Sequence, residues 1–279
     1  MSQILELDRE QLVESFAKRP FAVRHNLTDH PLLTLEAIAE LADRLPDDQV
    51  EHNLGDVPEI APGGEVPKLD ASPGEIARGI ETNGSWMVLK RIECDGPYRE
   101  LLERSLDEVV PHVAYKEGGY TRQEAFIFLS APNSVTPSHL DPEHNLLLQI
   151  RGSKEMTVGS YPSREAEHRE VERYLGGGHR NLDGLPPQSQ TFDMQPGDGV
   201  YVPIYAPHVV HNGPAVSISF SITFYTEASE HAQSVYAVNA RLRKLGLSPK
   251  DPGASKQADR LKAGAWNGLR RVKNAGRSG

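Results

Sequence analysis

The residues best placed to do chemistry lie in Thr136-Pro-Ser-His139-Leu-Asp141, followed by Asn145 and then by Lys154. Residues two apart on an extended chain point to the same side, so His139 and Asp141 can reach one ion while Leu140 packs behind them. A second histidine, His208, follows in Pro203-Ile-Tyr-Ala-Pro-His208, far enough along to come from another strand. Two histidines and one carboxylate on one face of iron(II) leave positions open for a chelating co-substrate and for dioxygen. Lys154 adds a cation that can hold a carboxylate. His211 is the alternative third ligand, but three residues along a strand it faces away from His208. A bare His-x-Asp pair is a weak signal, and His168-Arg-Glu170, in a highly charged run, reads as solvated helix surface. His144 reads as a surface or substrate-facing residue.

The surrounding residues make the pair specific. Thr136-Pro-Ser-His139-Leu-Asp141, Asn145 and Gln149-Ile-Arg-Gly152-Ser-Lys154 form one block. Gly197-Asp198, the apolar run Val200 to Val202, Pro203 and His208 form the other. Together they resemble the Jumonji-C branch of the cupin superfamily, the iron(II)- and 2-oxoglutarate-dependent oxygenases, and especially its asparaginyl-hydroxylase-like members. The resemblance covers about a third of the chain, from Thr136 to Lys154 and from Gly197 to about Tyr225. It implies His139, Asp141 and His208 as metal ligands. It also implies Thr136, Asn145, Lys154 and Thr223 as the positions that meet the co-substrate. There are two departures: Ala206-Pro207 stand where paired tryptophans are usual, and Thr223 stands where a late asparagine is usual. The implied reaction consumes 2-oxoglutarate and O2, releases succinate and CO2, and hydroxylates a C–H bond. Demethylation results where the attacked carbon bears nitrogen. The implied substrate is an amino-acid side chain of a protein or peptide, or an amino-acid derivative.

The implied fold is mainly β, a double-stranded β-helix (jelly roll, cupin-like) with helical elements before and after it. Residues 1–110 are expected to form a helical and mixed region packing on the barrel. Residues 111–227 are expected to form the barrel, and 228–279 a basic helical appendage. The apolar positions Leu35, Ile38, Leu41, Ala42 and Leu45 recur at helical spacing until Pro46 stops them. Asp47 to Pro73, rich in Pro, Gly and acid, reads as a long surface loop, and Ser72-Pro-Gly-Glu75 as a capping box opening a short helix. Trp86 to Ile92 reads as a strand, and Tyr98 to Val110 and Glu165 to Leu175 as helices. Ala125 to Leu129, Leu146 to Ile150 and Glu155 to Val158 read as strands, with Arg151 to Ser153 a turn between the last two.

The run Val216-Ser-Ile-Ser-Phe-Ser-Ile-Thr-Phe-Tyr225 alternates apolar and hydroxyl residues without a break. Strand alternation alone puts the apolar row in the core and the hydroxyls in water. The resemblance instead puts the hydroxyl row, with Thr223, into a polar chamber and packs the apolar row outward. Burial of Ser219 and Ser221 decides between them.

The 279 residues suffice for one large catalytic unit. The single cysteine, Cys94, excludes an internal disulfide framework and fits a reducing compartment. The chain begins without a signal-like segment and holds no run long enough to span a bilayer, so a cytoplasmic protein with no membrane association is expected. A net charge of −9 argues against a chain that grips nucleic-acid phosphates with its whole surface, and leaves RNA, an acidic partner or the protein's own acidic body as what a basic tail could touch. Charge is uneven: Arg241 to Gly279 hold eleven Lys or Arg against two Asp, +9, leaving −18 for the first 240 residues. The spacing of Val235, Val238, Leu242 and Leu245 predicts a helix in this tail. The resemblance implies a homodimer through these C-terminal helices, with Trp266 and Leu269 as its apolar contacts or, alternatively, docked on their own barrel. Two other readings stand beside the oxygenase: another cupin metalloenzyme acting on a small molecule, and a noncatalytic cupin-like binding or regulatory module.

Overall fold

The computed structural model describes residues 3–54, 71–184 and 188–275. The chain opens with β1 (Leu5–Glu6), α1 (Arg9–Ser15) and β2 (Phe21–His25). The Asp8 carboxylate caps α1 by accepting from the amides of Glu10 and Gln11. Next come α2 (Leu35–Arg44), β3 (Val50–Leu54), α3 (Pro73–Arg78), β4 (Ser85–Leu89), α4 (Gly96–Asp107) and α5 (Val110–Glu117). The Ser72-Glu75 capping box forms as expected. The second half runs β5 (Tyr120–Ser130), β6 (Val135–His139), β7 (His144–Arg151), β8 (Lys154–Ser160), α6 (Arg164–Leu175), β9 (Gln188–Met194), β10 (Asp198–Val202), β11 (His208–Asn212) and β12 (Ser217–Thr226). It closes with α7 (Glu227–Lys244) and α8 (Lys256–Ala275).

The strands form two antiparallel sheets. The major sheet has eight strands in the order β1-β2-β10-β7-β12-β5-β4-β3, and the minor sheet four in the order β6-β11-β8-β9. Side chains from both sheets meet in one cluster, Leu147, Val200 and Val202 from the major and Met156, Val158, Phe192, Met194 and Val210 from the minor, so the sheets close as a jelly roll. The larger core lies outside this interior. The opposite row of the major sheet, including Leu146, Leu148, Tyr201, Phe220, Ile222 and Phe224, packs with Ile38 and Leu41 of α2 and Leu101 and Leu102 of α4. This outer layer holds the sheet rigid behind the site.

Strand β12 answers the question its alternation poses. Every residue of β12 is buried, and Ser219 and Ser221 are 0% and 1% exposed. The hydroxyl row therefore faces the barrel interior, not water, while the apolar row packs outward under the helices.

The structure corrects three further expectations. The loop predicted over Asp47 to Pro73 contains β3, which pairs with β4, so its start belongs to the sheet; residues 55–70 of that expectation lie outside the described residues. The turn at Arg151 to Ser153 joins strands of different sheets and is not a hairpin, because β7 pairs with β10 and β12 and β8 with β9 and β11. His168 is not solvated: it is 7% exposed, with its ring edge-on to Tyr236 at 5.4 Å between centroids.

Candidate active site

His139 ends β6 and stands directly opposite His208, which begins β11. Asp141 follows two residues on, while Leu140 between them points away into a cluster with Val171, Tyr205 and Tyr236, as the alternation requires. The Asp141 backbone carbonyl accepts from the Tyr205 amide at 2.8 Å, which ties the loop after the first histidine to the loop before the second.

The donor atoms converge. His139 Nε2 and His208 Nε2 lie 3.4 Å and 3.5 Å from Asp141 Oδ2, and one ligand atom from each residue falls within 4.8 Å of the others. Each imidazole donates Nδ1–H to a carbonyl two residues earlier, His139 to Pro137 at 2.8 Å and His208 to Ala206 at 2.9 Å. A carbonyl can only accept, so Nδ1 carries the proton and the Nε2 lone pair is left for an electrophile. Burial, and then the neighbouring His208, push the His139 pKa down and favour the neutral ligand form. Two nitrogen lone pairs and a carboxylate oxygen facing one point fit a divalent cation, and the donor set suits iron(II) with open positions. His211 is exposed and takes no part.

A second feature lies deeper in the barrel. Lys154 begins β8 on the same row as Met156 and Val158, so its side chain enters the interior. It is 6% exposed, and burial pulls its pKa down from 10.5 to about 7. Among the described residues no carboxylate pairs with it. A buried ammonium without a counter-ion is costly, so the site is built for an incoming anion.

The turn that delivers Lys154 shows why Gln149 and Gly152 accompany it. The Gln149 Nε2 lies 2.7 Å and 3.0 Å from the carbonyls of Arg151 and Gly152 and 3.0 Å from Ser217 Oγ, while its Oε1 accepts from Ser219 at 2.7 Å. Gly152 has φ +70°, and a Cβ there would lie 2.3 Å from the Val216 carbonyl oxygen.

The other expected positions divide. Asn145 and Thr223 pair across β7 and β12, each 8% exposed on the interior row. Thr223 Oγ1 donates to the Glu124 carbonyl at 3.3 Å. Thr136 is exposed on β6 and has no hydrogen bond to Lys154. His144 is corrected outright. It is fully buried on the outer row, stacked on Phe16 at 4.9 Å, and its Nδ1 accepts from Tyr201 at 2.8 Å. Its role is packing behind the site.

Two residues at the site's edge went unnoticed in the sequence. Glu143 continues the His139-Asp141 alternation, and its carboxylate accepts from the Tyr225 hydroxyl at 3.0 Å. Arg180, from the loop after α6, donates to Asp141 Oδ1 at 3.0 Å, and no local pattern marks it. Pro142 and Glu143, which follow Asp141 in the chain, line a cavity of about 390 Å³ together with Tyr174, Tyr225 and Trp266.

A family model described as "JmjC domain" matches residues 105–233. That stretch carries the whole convergent set. Residues 105–233 are thus similar to a JmjC domain. The Jumonji C domain-containing protein 5 of Drosophila melanogaster is 28% identical over 111 residues, 36% of this chain and 27% of that protein. Among solved structures, the Escherichia coli ribosomal oxygenase YcfD in complex with cobalt and 2-oxoglutarate matches with a TM-score of 0.55 at 18% identity, over 93% of this chain and 66% of that one. A second YcfD structure gives a TM-score of 0.56 at 17% identity, over 98% of this chain and 68% of that one. The chain thus shares the YcfD fold over most of its length. The chain spans about a quarter of the length of the fly protein and about two thirds of YcfD.

Proposed function

We propose that this protein is an iron(II)- and 2-oxoglutarate-dependent oxygenase that hydroxylates a C–H bond on an amino-acid side chain of a protein or peptide. The observation that carries the reading is the buried Lys154, with no carboxylate partner among the described residues, in the same barrel as the convergent His139, Asp141 and His208. A metal site alone fits many chemistries. A metal site with an anion-seeking lysine fits a dicarboxylate co-substrate.

His139, Asp141 and His208 would hold the ion. When bound, iron(II) supplies the one-electron chemistry by which 2-oxoglutarate, O2 and a substrate C–H yield succinate, CO2 and C–OH. Lys154 holds the far carboxylate by charge and hydrogen bonding. Asn145, with its carbonyl oxygen engaged by Ser221 at 2.8 Å, presents its amide N–H groups to the chamber. Thr223 and the exposed Thr136 would be its remaining polar contacts. Leu147, Val202 and Val210 wall the interior and exclude water.

The likeness to a ribosomal oxygenase favours a protein substrate, whose side chain would enter by the cavity at Glu143. We further propose membership of the asparaginyl-hydroxylase-like branch, a homodimer through the C-terminal helices and a cytoplasmic location. Leu261 and Leu269, 76% and 60% exposed on α8, are the apolar contacts available to a second copy. Trp266 instead docks on its own chain, with the Arg241 guanidinium 4.1 Å from its ring centroid. No helix among the described residues is long and apolar enough to cross a membrane.

Anaerobic addition of iron(II) and 2-oxoglutarate tests the reading through the visible metal-to-ligand charge-transfer band. The wild type shows the band, Asp141→Ala abolishes it and Lys154→Ala weakens it. A folded, metal-loaded wild type without the band would exclude the oxygenase.

A further inference from the structure

The two oxygens of Asp141 have different neighbours. Oδ2 faces both imidazoles, whereas Oδ1 takes the hydrogen bond from Arg180 Nη1 at 3.0 Å. Arg180 is held in place by its backbone. β6 is an edge strand of the minor sheet, and residues 180–182 lie along its free edge: the Leu140 amide donates to the Arg180 carbonyl at 3.1 Å and the Leu182 amide to the Ser138 carbonyl at 2.9 Å. His139 and Asn181 form an antiparallel bridge between these two bonds, and Ser138 Oγ donates to the Gly184 carbonyl at 3.1 Å. Leu182 packs against the cluster containing Leu140. The strand that carries the first histidine and the segment that carries Arg180 are therefore joined by backbone pairing.

We propose that Arg180 is a positioning residue that commits Asp141 to bind the metal through Oδ2 alone. A free carboxylate can chelate an ion with both oxygens. A charge-assisted hydrogen bond on Oδ1 opposes the rotation that chelation needs and occupies its lone pair. The consequence is coordinative: an octahedral ion on three protein atoms keeps about three positions open, and a chelating carboxylate would take one of them. Two open positions would serve a bidentate co-substrate and leave none for a further ligand. Arg180 thereby preserves the position that oxidation requires. This inference rests on the metal reading of the site, not on turnover.

Manganese(II) tests it without catalysis. Ion affinity would be measured by the electron paramagnetic resonance signal of free Mn(II), and bound-water number by water-proton relaxation per bound ion, in wild type, Arg180→Gln and Arg180→Lys. In Arg180→Gln, Oδ1 is released, and relaxation per bound ion falls by about a third as one of about three waters is displaced. Arg180→Lys keeps the cation and stays close to wild type. Thermal unfolding midpoints confirm that all three are folded, and relaxation per bound ion does not respond to a loss of bulk stability. Unchanged relaxation in folded Arg180→Gln would overturn the proposal, and so would a folded wild type that binds no Mn(II). The expected drop in a protein that ignores 2-oxoglutarate would support Arg180's role while removing the co-substrate reading.

Discussion

The Ser221 hydroxyl donates to Asn145 Oδ1 at 2.8 Å, between two buried residues on adjacent strands of the barrel interior. With its acceptor committed, Asn145 turns its NH2 group toward the chamber, where a carboxylate is the complementary ligand. Ser221→Ala frees the amide to turn and leaves a buried acceptor unpaired, a cost of about 1 kcal/mol. The expected result is 2-oxoglutarate binding about fivefold weaker, read from the charge-transfer band. Asn145→Asp places a carboxylate where a donor stood and abolishes binding in a folded protein.

Lys154 makes stability and co-substrate affinity depend on pH in linked ways. Its pKa falls from 10.5 in the unfolded chain to about 7 in the fold, so between these values the unfolded state binds the extra proton. Stability of the ligand-free protein therefore rises from about pH 7 toward pH 10. Denaturant melts across this range would show the slope, and Lys154→Met would remove it. Binding an anion requires the charged form, so 2-oxoglutarate affinity falls about tenfold per pH unit above pH 7. A wild-type affinity flat to pH 9 would contradict the role given to Lys154.

Much of this site was legible because its residues are local. His139, Asp141 and Lys154 sit in one 19-residue block whose alternation states which way each side chain faces. His208 needed a second strand but came with its own turn and apolar run. The alternation of β12 was visible, yet its direction was not, because a jelly roll flanked by helices buries both faces of its major sheet. The same double burial concealed His144: an outward-facing position on a barrel strand reads as solvent until α1 and its neighbours cover it. Arg180 could not be read at all, since it reaches Asp141 from a loop 39 residues away and depends on an edge pairing with no sequence pattern.

His144 should make the protein sensitive to acid. Burial depresses its pKa to about 3, against 6.5 for the unfolded chain, and its Nε2 has no hydrogen-bond partner among the described residues. As pH falls below 6.5 the unfolded state takes up a proton that the fold refuses, and stability drops until about pH 3. His144→Phe retains the stacking on Phe16 but removes the acceptor for Tyr201, costing about 1–2 kcal/mol at neutral pH. It should nonetheless flatten the acid limb, and urea melts of both proteins between pH 4 and 7 compare the two effects.

Glu143, which lines the cavity and feels the charge of Asp141, supplies the opposite slope. Burial, and then the charge of Asp141, raise its pKa from 4.5 to about 7, so the fold holds a proton that the unfolded chain releases. Stability due to this group is complete below pH 4.5 and is lost as pH rises toward 7. Glu143→Gln keeps the Tyr225 hydrogen bond and removes the charge, so it should be as stable as wild type at pH 5 and more stable at pH 8. Mn(II) bound at Asp141 offsets the second cause of the shift, so the metal-loaded protein should lose this stability at lower pH than the metal-free one. Melts with and without Mn(II), in wild type and Glu143→Gln, isolate the effect. A metal-induced change of equal size in both proteins would show that Glu143 and Asp141 are not electrostatically coupled.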